Sequence, residues 1–183
     1  MKQLKILEIG SGKNFYKGKK TEDVVHLDAV KLQHVEIVHN LNNFPYPFEK
    51  DTFNVVIANH VLEHLDHFLE TMNEIHRILR PGGTVKIKVP YFGSPNAFTD
   101  PTHKKFFTKE SFDYWDKTTE YGFEYNHQVN KSFYLIEKKL IFAKGLKYSL
   151  VSWIENKKPA FYEVHISRII PADEIYFELG KDK

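Results

Sequence analysis

The sequence predicts an α/β protein built on an open, mostly parallel sheet. Three observations carry that reading. Apolar runs of strand length follow one another early in the chain: LKILEIG (4–10), VVHLD (24–28), VEIVHNL (35–41) and FNVVIANH (53–60). The last is apolar enough to be buried on both faces, which a parallel sheet requires. A helical stripe then precedes another strand-like segment, and strands alternating with helices build a sheet with crossover connections.

Taken in order, the first run ends at glycine and the second at an acid, Asp28. NFPYPF (43–48) breaks regular structure with two prolines. After the fourth run, Leu65, Phe68, Leu69, Met72, Ile75 and Leu79 recur at helical spacing as one apolar stripe. RPGG (80–83) is expected to end that helix, and TVKIKVP (84–90) alternates like a fifth strand. Only 11 residues separate Gly12 from Val24, so the first crossover is a loop or a stub of helix. Further on, KESFDYWDK (109–117) reads as a short helix and KSFYLIEKKLIFAKG (131–145) as a strand or hairpin. GLKYSLVSWIENKKP (145–159) and AFYEVHISRIIP (160–171) have helical character, and EIYFELG (174–180) looks like a closing strand.

Bulk properties narrow the function. The 183 residues are 42% hydrophobic and 27% charged, enough apolar mass for a core and unlike a disordered chain. A net charge of +2 is too mild to argue for a nucleic-acid partner. Cysteine is absent, which excludes disulfides, thiolate metal sites and thiol nucleophiles. No apolar run reaches membrane-spanning length and no signal peptide is evident, so a cytoplasmic protein without membrane insertion is expected. The sequence gives no oligomeric state.

Gly10 and Gly12, in LEIGSGKNF, follow the first strand, where glycine permits a tight turn and close approach of a ligand to the backbone. Asp28 ends the second strand 16 residues after Gly12, placed to accept hydrogen bonds from both hydroxyls of a ribose. The third glycine of a dinucleotide fingerprint is replaced by Phe15, which points to an adenosine ligand without a diphosphate. Lys13, Lys17, Lys19 and Lys20 stand beside this loop, and a solvated loop is the simpler reading of them.

A second motif is NHVLEHLDHF (59–68). His60, Glu63 and His64 spell H-x-x-E-H, the order of an inverted zinc-protease helix. A zinc hydrolase would need a third ligand, such as Glu137 or Glu155, and both histidines well inside a helix. His60 instead ends an apolar strand, which argues against that geometry.

With these residues in view, the sequence resembles the class I S-adenosylmethionine-dependent methyltransferases, most closely the group known as methyltransferase type 11. LEIGSG resembles the family's glycine motif, HLDAV its ribose motif, FPYPFEKDTFNVVIANHVLEHL its mid-sheet motif, and EIHRILRPGGTVKIKVP the helix, turn and strand that follow. The match runs over roughly residues 4 to 90. PYFGSPNAFTDPTHKKFFTKESFDYW and FYEVHISRIIPADEIYFEL resemble segments of methyltransferases from polysaccharide gene clusters.

The resemblance implies a Rossmann-like seven-stranded sheet of order 3-2-1-4-5-7-6 with the last strand antiparallel. It implies one methyltransferase domain over 1–183, with a cofactor-binding half (1–90) and a substrate-side half with inserted helices (91–183). S-adenosylmethionine would be the cofactor. Gly10, Ser11 and Gly12 would pack on its methionine part and ribose, with Glu8 organising the loop and Asp28 holding the ribose hydroxyls. Asn40 and Leu41 would flank adenine, and Asn59 and His60 would line the methionine side.

The expected reaction is in-line methyl transfer to a small-molecule acceptor, such as a sugar or glycan precursor, with no metal required. His103 is the expected general base, oriented by Asp100, and His64 is the second candidate. His60, His64 and His67 are expected to form one row on the following helix. A non-catalytic S-adenosylmethionine-binding module of the same fold is the alternative. The zinc hydrolase ranks below both, and nucleic-acid amino-methylation is disfavoured because NHVL stands where a D/N-P-P-Y type motif would be.

Overall fold

A computed structural model describes residues 3–182 apart from 126, 128, 130 and 131. Its elements are β1 (Leu4–Ile9), β2 (Glu22–Asp28), β3 (Ile37–Val38), β4 (Phe53–Asn59), α1 (Phe68–Ile78), β5 (Leu79–Pro90), α2 (Asn96–Thr99), α3 (Glu120–Tyr125), β6 (Tyr134–Ile141), α4 (Leu146–Lys157), α5 (Pro159–Phe161) and β7 (Glu174–Gly180). The strands form one seven-stranded sheet of order β3-β2-β1-β4-β5-β7-β6. β1 to β5 run parallel, and β7 is antiparallel to both β5 and β6. This is the predicted methyltransferase topology.

The registers sort the side chains onto two unlike faces. Leu7 and Ile9 of β1 lie level with Val25 and Leu27 of β2 and with Val56 and Ala58 of β4. The same row continues through Val85 and Ile87 to Leu179 and Phe177. All but Val25 of these are fully buried. α1 covers this face with Met72, Ile75 and Ile78, beside an aromatic cluster of Phe68, Phe107, Phe112 and Trp115. The Phe112 ring reaches the sheet at Phe177, with centroids 4.5 Å apart.

The opposite face is polar across β5 and β7. Lys86 lies opposite Glu178, and Lys88 lies opposite Tyr176. Lys86 Nζ stands 3.8 Å from Glu178 and Lys88 Nζ 3.7 Å from Glu174. The alternation of TVKIKVP follows from this half-solvated surface, since side chains alternate along a strand.

Of the two forms expected for the first crossover the loop is the one observed, and several other elements differ from expectation. The loop is tied down by Phe15, which stacks on His34 at 3.7 Å and meets His26 edge-on at 5.1 Å. The third strand shrinks to Ile37 and Val38, which pair with Leu27 and Asp28 at the end of β2, after a turn in which the Val35 N–H donates to the Leu32 carbonyl. RPGG does not end the helix. α1 stops at Ile78, Leu79 already pairs with Phe53, and residues 80–83 form an irregularity before Thr84 pairs with Val55. Gly82 takes φ 74° there. Glu63 and His64 lie in a separate 3-10 turn (Leu62–His64), not on α1, and the 109–117 segment contributes only another such turn at Asp113–Trp115. Over 160–171 the helical character resolves into the end of α5 and a π-helical turn at Tyr162–Ile166.

Candidate active site

The glycine loop forms where β1 ends against β2 and β4. Gly10 has φ 60°, and a Cβ built there would lie 2.4 Å from Val61 Cγ2, so both conformation and space demand glycine. Gly12 has φ 53°. Its N–H donates to Asp28 Oδ2 at 2.9 Å, while the Val30 N–H donates to Oδ1 at 2.9 Å. The Asp28 carboxylate is thereby held at the carboxyl end of β2, beside the glycine turn. Ser11 is clamped to β2 through its N–H and Leu27 O at 3.3 Å, and its Oγ lies 3.4 Å from His34 Nε2.

Glu8 is 2% exposed beneath this loop. Its Oε2 accepts the Tyr16 N–H at 2.8 Å and meets His26 Nδ1 at 3.0 Å. Asn40 is exposed, with Oδ1 accepting the Asn42 N–H at 3.0 Å. The buried Leu41 offers its carbonyl to the Tyr46 hydroxyl at 3.0 Å.

At the end of β4, Asn59 and His60 are both exposed. His60 takes the left-handed φ of 51°, which turns the chain out of the strand. Its Nε2 lies 2.8 Å from Glu174 of β7, and its Nδ1 lies 3.5 Å from Glu63 Oε1. The Glu174 hydrogen bond, then the approach of Glu63, push the His60 pKa up to about 9 against the opposing effect of burial.

The three histidines of NHVLEHLDHF do not form a row. His60 ends a strand, His64 sits in the 3-10 turn, and His67 immediately precedes α1. The i, i+4 helical geometry of a zinc protease is therefore missing. Glu155 is paired with Lys109 and Glu137 with Lys139, so both proposed third ligands are engaged elsewhere.

The fold instead brings together two histidines predicted separately. The rings of His64 and His103 meet with centroids 4.7 Å apart, inclined at 65°. Asp100 does not orient His103 by a side-chain bond. Its Oδ1 accepts the N–H and hydroxyl of Thr102, at 2.8 and 2.7 Å, and the Thr102 oxygen lies 2.8 Å from His64 Nδ1. His103 Nδ1 faces the Ala97 carbonyl at 2.9 Å. Sequence reasoning missed Thr102 and the burial of Glu63, which is 1% exposed. The H-x-x-E-H pattern singled out Glu63 but placed it on the wrong element.

Past β5, a cleft of about 440 Å³ is lined by Tyr91, Phe92, Thr108, Glu110, Glu163, Val164 and Arg168. Burial first, then the charge of Glu110, holds the Glu163 carboxyl above its usual range. Among the described residues, no helix is long and apolar enough to cross a membrane.

Comparison with known proteins gives the family and the fold. Residues 2–128 match the family described as "Methyltransferase domain". The chain belongs to this family of S-adenosylmethionine-dependent methyltransferases. A 59-residue stretch is 30% identical to demethylmenaquinone methyltransferase of Bacillus mycoides (strain KBAB4), covering 32% of this chain and 24% of that protein. The match thus spans about a quarter of that relative's length. The fold is similar to a SAM-dependent methyltransferase from Archaeoglobus fulgidus, with a TM-score of 0.65 and 13% identity over 98% of this chain and 86% of that one. It is also similar to Burkholderia thailandensis 1,6-didemethyltoxoflavin-N1-methyltransferase, solved with 1,6-didemethyltoxoflavin and S-adenosylhomocysteine. That comparison has a TM-score of 0.56 and 12% identity over 100% of this chain and 72% of the other.

Proposed function

We propose that this chain transfers the sulfonium methyl of S-adenosylmethionine to a nucleophilic atom of a small molecule, with a sugar or glycan precursor as the acceptor class. The observation that carries the reading is the turn Gly10-Ser11-Gly12 bonded to Asp28 at the carboxyl ends of β1 and β2. Ligands of open α/β sheets bind in that crevice.

In this reading Gly10, Ser11 and Gly12 receive the methionine part and ribose, and Glu8 holds the loop from below. Asp28 takes the ribose hydroxyls, Asn40 and Leu41 flank adenine, and Asn59 and His60 border the methionine end. The cleft past β5 supplies an exposed aromatic face at Phe92 beside the carboxyls Glu110 and Glu163, a suitable surface for a polyhydroxylated acceptor. Transfer forms an acceptor–carbon bond as the carbon–sulfur bond breaks. S-adenosylhomocysteine leaves as a neutral thioether, and the acceptor proton passes to His103 or His64. Positioning carries most of the rate, since ideal orientation supplies up to roughly 7–11 kcal/mol. A general base adds about 10²–10⁴-fold.

Calorimetry with S-adenosylhomocysteine tests the reading. Wild-type protein should bind it, and Asp28→Ala should bind roughly 10- to 150-fold more weakly, as expected for hydrogen bonds to a charged group. A wild-type chain that binds neither S-adenosylmethionine nor its product overturns the proposal. Binding without transfer to any sugar acceptor would favour the non-catalytic module.

A further inference from the structure

We propose that Glu63, His64 and His103 form a binding site for a divalent ion of the manganese-to-zinc range. Each residue offers one ligand atom, and these atoms all lie within 4.8 Å of one another. Neither the turn after β4 nor the loop after β5 would do this alone; the fold brings them together. The backbone reinforces the meeting, with the Lys104 and Lys105 N–H groups donating to the Glu63 carbonyl at 2.7 and 3.1 Å.

The independent observation is the state of Glu63. Its side chain is 1% exposed, yet among the described residues neither carboxylate oxygen has a hydrogen-bond partner. The nearest cationic group, His60 Nδ1, stands 3.5 Å from Oε1. That ion pair offsets part of the charge at Oε1 but leaves Oε2 with no partner, and a buried acceptor left so costs about 1–3 kcal/mol, so its retention points to a ligand.

Both histidines are set up as ligands rather than as donors to one another. The Ala97 carbonyl can only accept, so His103 carries its proton on Nδ1 and leaves Nε2 a lone pair. The Thr102 hydroxyl hydrogen is committed to Asp100, so its oxygen accepts from His64 Nδ1. That leaves Nε2 of His64 free as well. A metal-ligating histidine is usually held this way through its other nitrogen, and Asp100-Thr102-His64 supplies the chain of partners.

Two imidazoles and one carboxylate suit Mn²⁺, Co²⁺ or Zn²⁺ better than Ca²⁺ or Mg²⁺, which favour oxygen ligands. Bound ligands at roughly 2.0–2.2 Å from a metal stand some 3–3.5 Å apart, so the cluster must tighten on binding. Three protein ligands leave positions open for water or an acceptor oxygen. This use of the ion rests on the methyl-transfer reading above and takes the place of direct proton transfer to His103 or His64, whose lone pairs the ion would hold; the site itself does not depend on that reading.

The full chain, stripped with chelator, should be titrated with MnCl₂ followed by electron paramagnetic resonance and with CoCl₂ followed by its visible spectrum. We expect one ion per chain and a Co²⁺ spectrum with nitrogen ligation. Glu63→Gln and His103→Gln should each weaken binding at least tenfold, while His67→Ala, outside the cluster, should leave it unchanged. Circular dichroism checks that each variant is folded, and His64→Asn serves where one is not. Absence of stoichiometric Mn²⁺ and Co²⁺ binding, or wild-type affinity in the folded cluster variants, overturns the proposal. S-adenosylhomocysteine binding in chelator is measured in parallel, so a failed metal site and a failed methyl-donor site give different results.

Discussion

Glu8 of β1 and His26 of β2 are cross-strand neighbours in register, and their side chains meet at 3.0 Å beneath the glycine loop. The same Glu8 oxygen accepts the Tyr16 N–H, so one carboxylate fastens a strand pair and the crossover loop together. No helix stands in that crossover, so this bond joins the Phe15 stacking and the Tyr16 and Lys19 bonds to Glu22 in fixing the loop.

Replacing Glu8 by alanine therefore leaves the buried His26 ring and the half-buried Tyr16 N–H without this partner. We expect a loss of about 2–4 kcal/mol in unfolding free energy. Glu8→Gln retains a carbonyl acceptor and should lose less. Urea denaturation of both variants measures the difference, and equal losses would count against the bond to Tyr16.

Gly10→Ala should cost both stability and cofactor affinity. The residue needs φ 60°, and the added methyl would meet Val61 at 2.4 Å. The left-handed conformation alone costs about 1–2 kcal/mol. The double variant with Val61→Ala should recover the steric part only, leaving S-adenosylhomocysteine affinity below wild type. Full recovery would show that conformation does not matter here.

Glu74 should impose an acid limit on stability. It accepts the Tyr46 N–H at 2.7 Å and pairs with Arg77 through Nε and Nη2, both at 2.7 Å. Burial raises its pKa, but Arg77 and the Tyr46 N–H outweigh burial and hold it below the usual 4.5. Below pH 4.5 the unfolded chain takes up the proton first, so stability rises with pH in that window. The contribution is complete above pH 4.5 and disappears as pH falls through the lowered folded value. Glu74→Gln should lack this slope, and denaturation at a series of acidic pH values checks it.

How much of this was legible in the sequence can be followed residue by residue. The four early strands were readable because Leu7, Val56 and their neighbours sit in mostly apolar runs of strand length. The alternation of Lys86 and Lys88 with Val85 and Ile87 marked a strand with one wet face. The extent of β3 was not readable, because it lies between the turn at Leu32–Val35 and the end of β2 rather than following the apolar run 35–41. Gly10, Gly12 and Asp28 were legible because turn chemistry is local. The meeting of His64 with His103 was not, since it depends on how the loop after β5 folds back onto the turn after β4. Nothing in H-x-x-E-H discloses that Glu63 is buried.

The charged face of β5 and β7 has a consequence for assembly. Lys86, Lys88, Glu174 and Glu178 neutralise one another in pairs across the strands. An apolar layer laid over them would strip water from four charges whose lysine–carboxylate contacts are long, at a cost of several kcal/mol per ion. Two copies of the chain are thus discouraged from stacking sheet on sheet through this surface. Any natural covering, whether from another chain or another segment, would have to carry its own lattice of opposite charges.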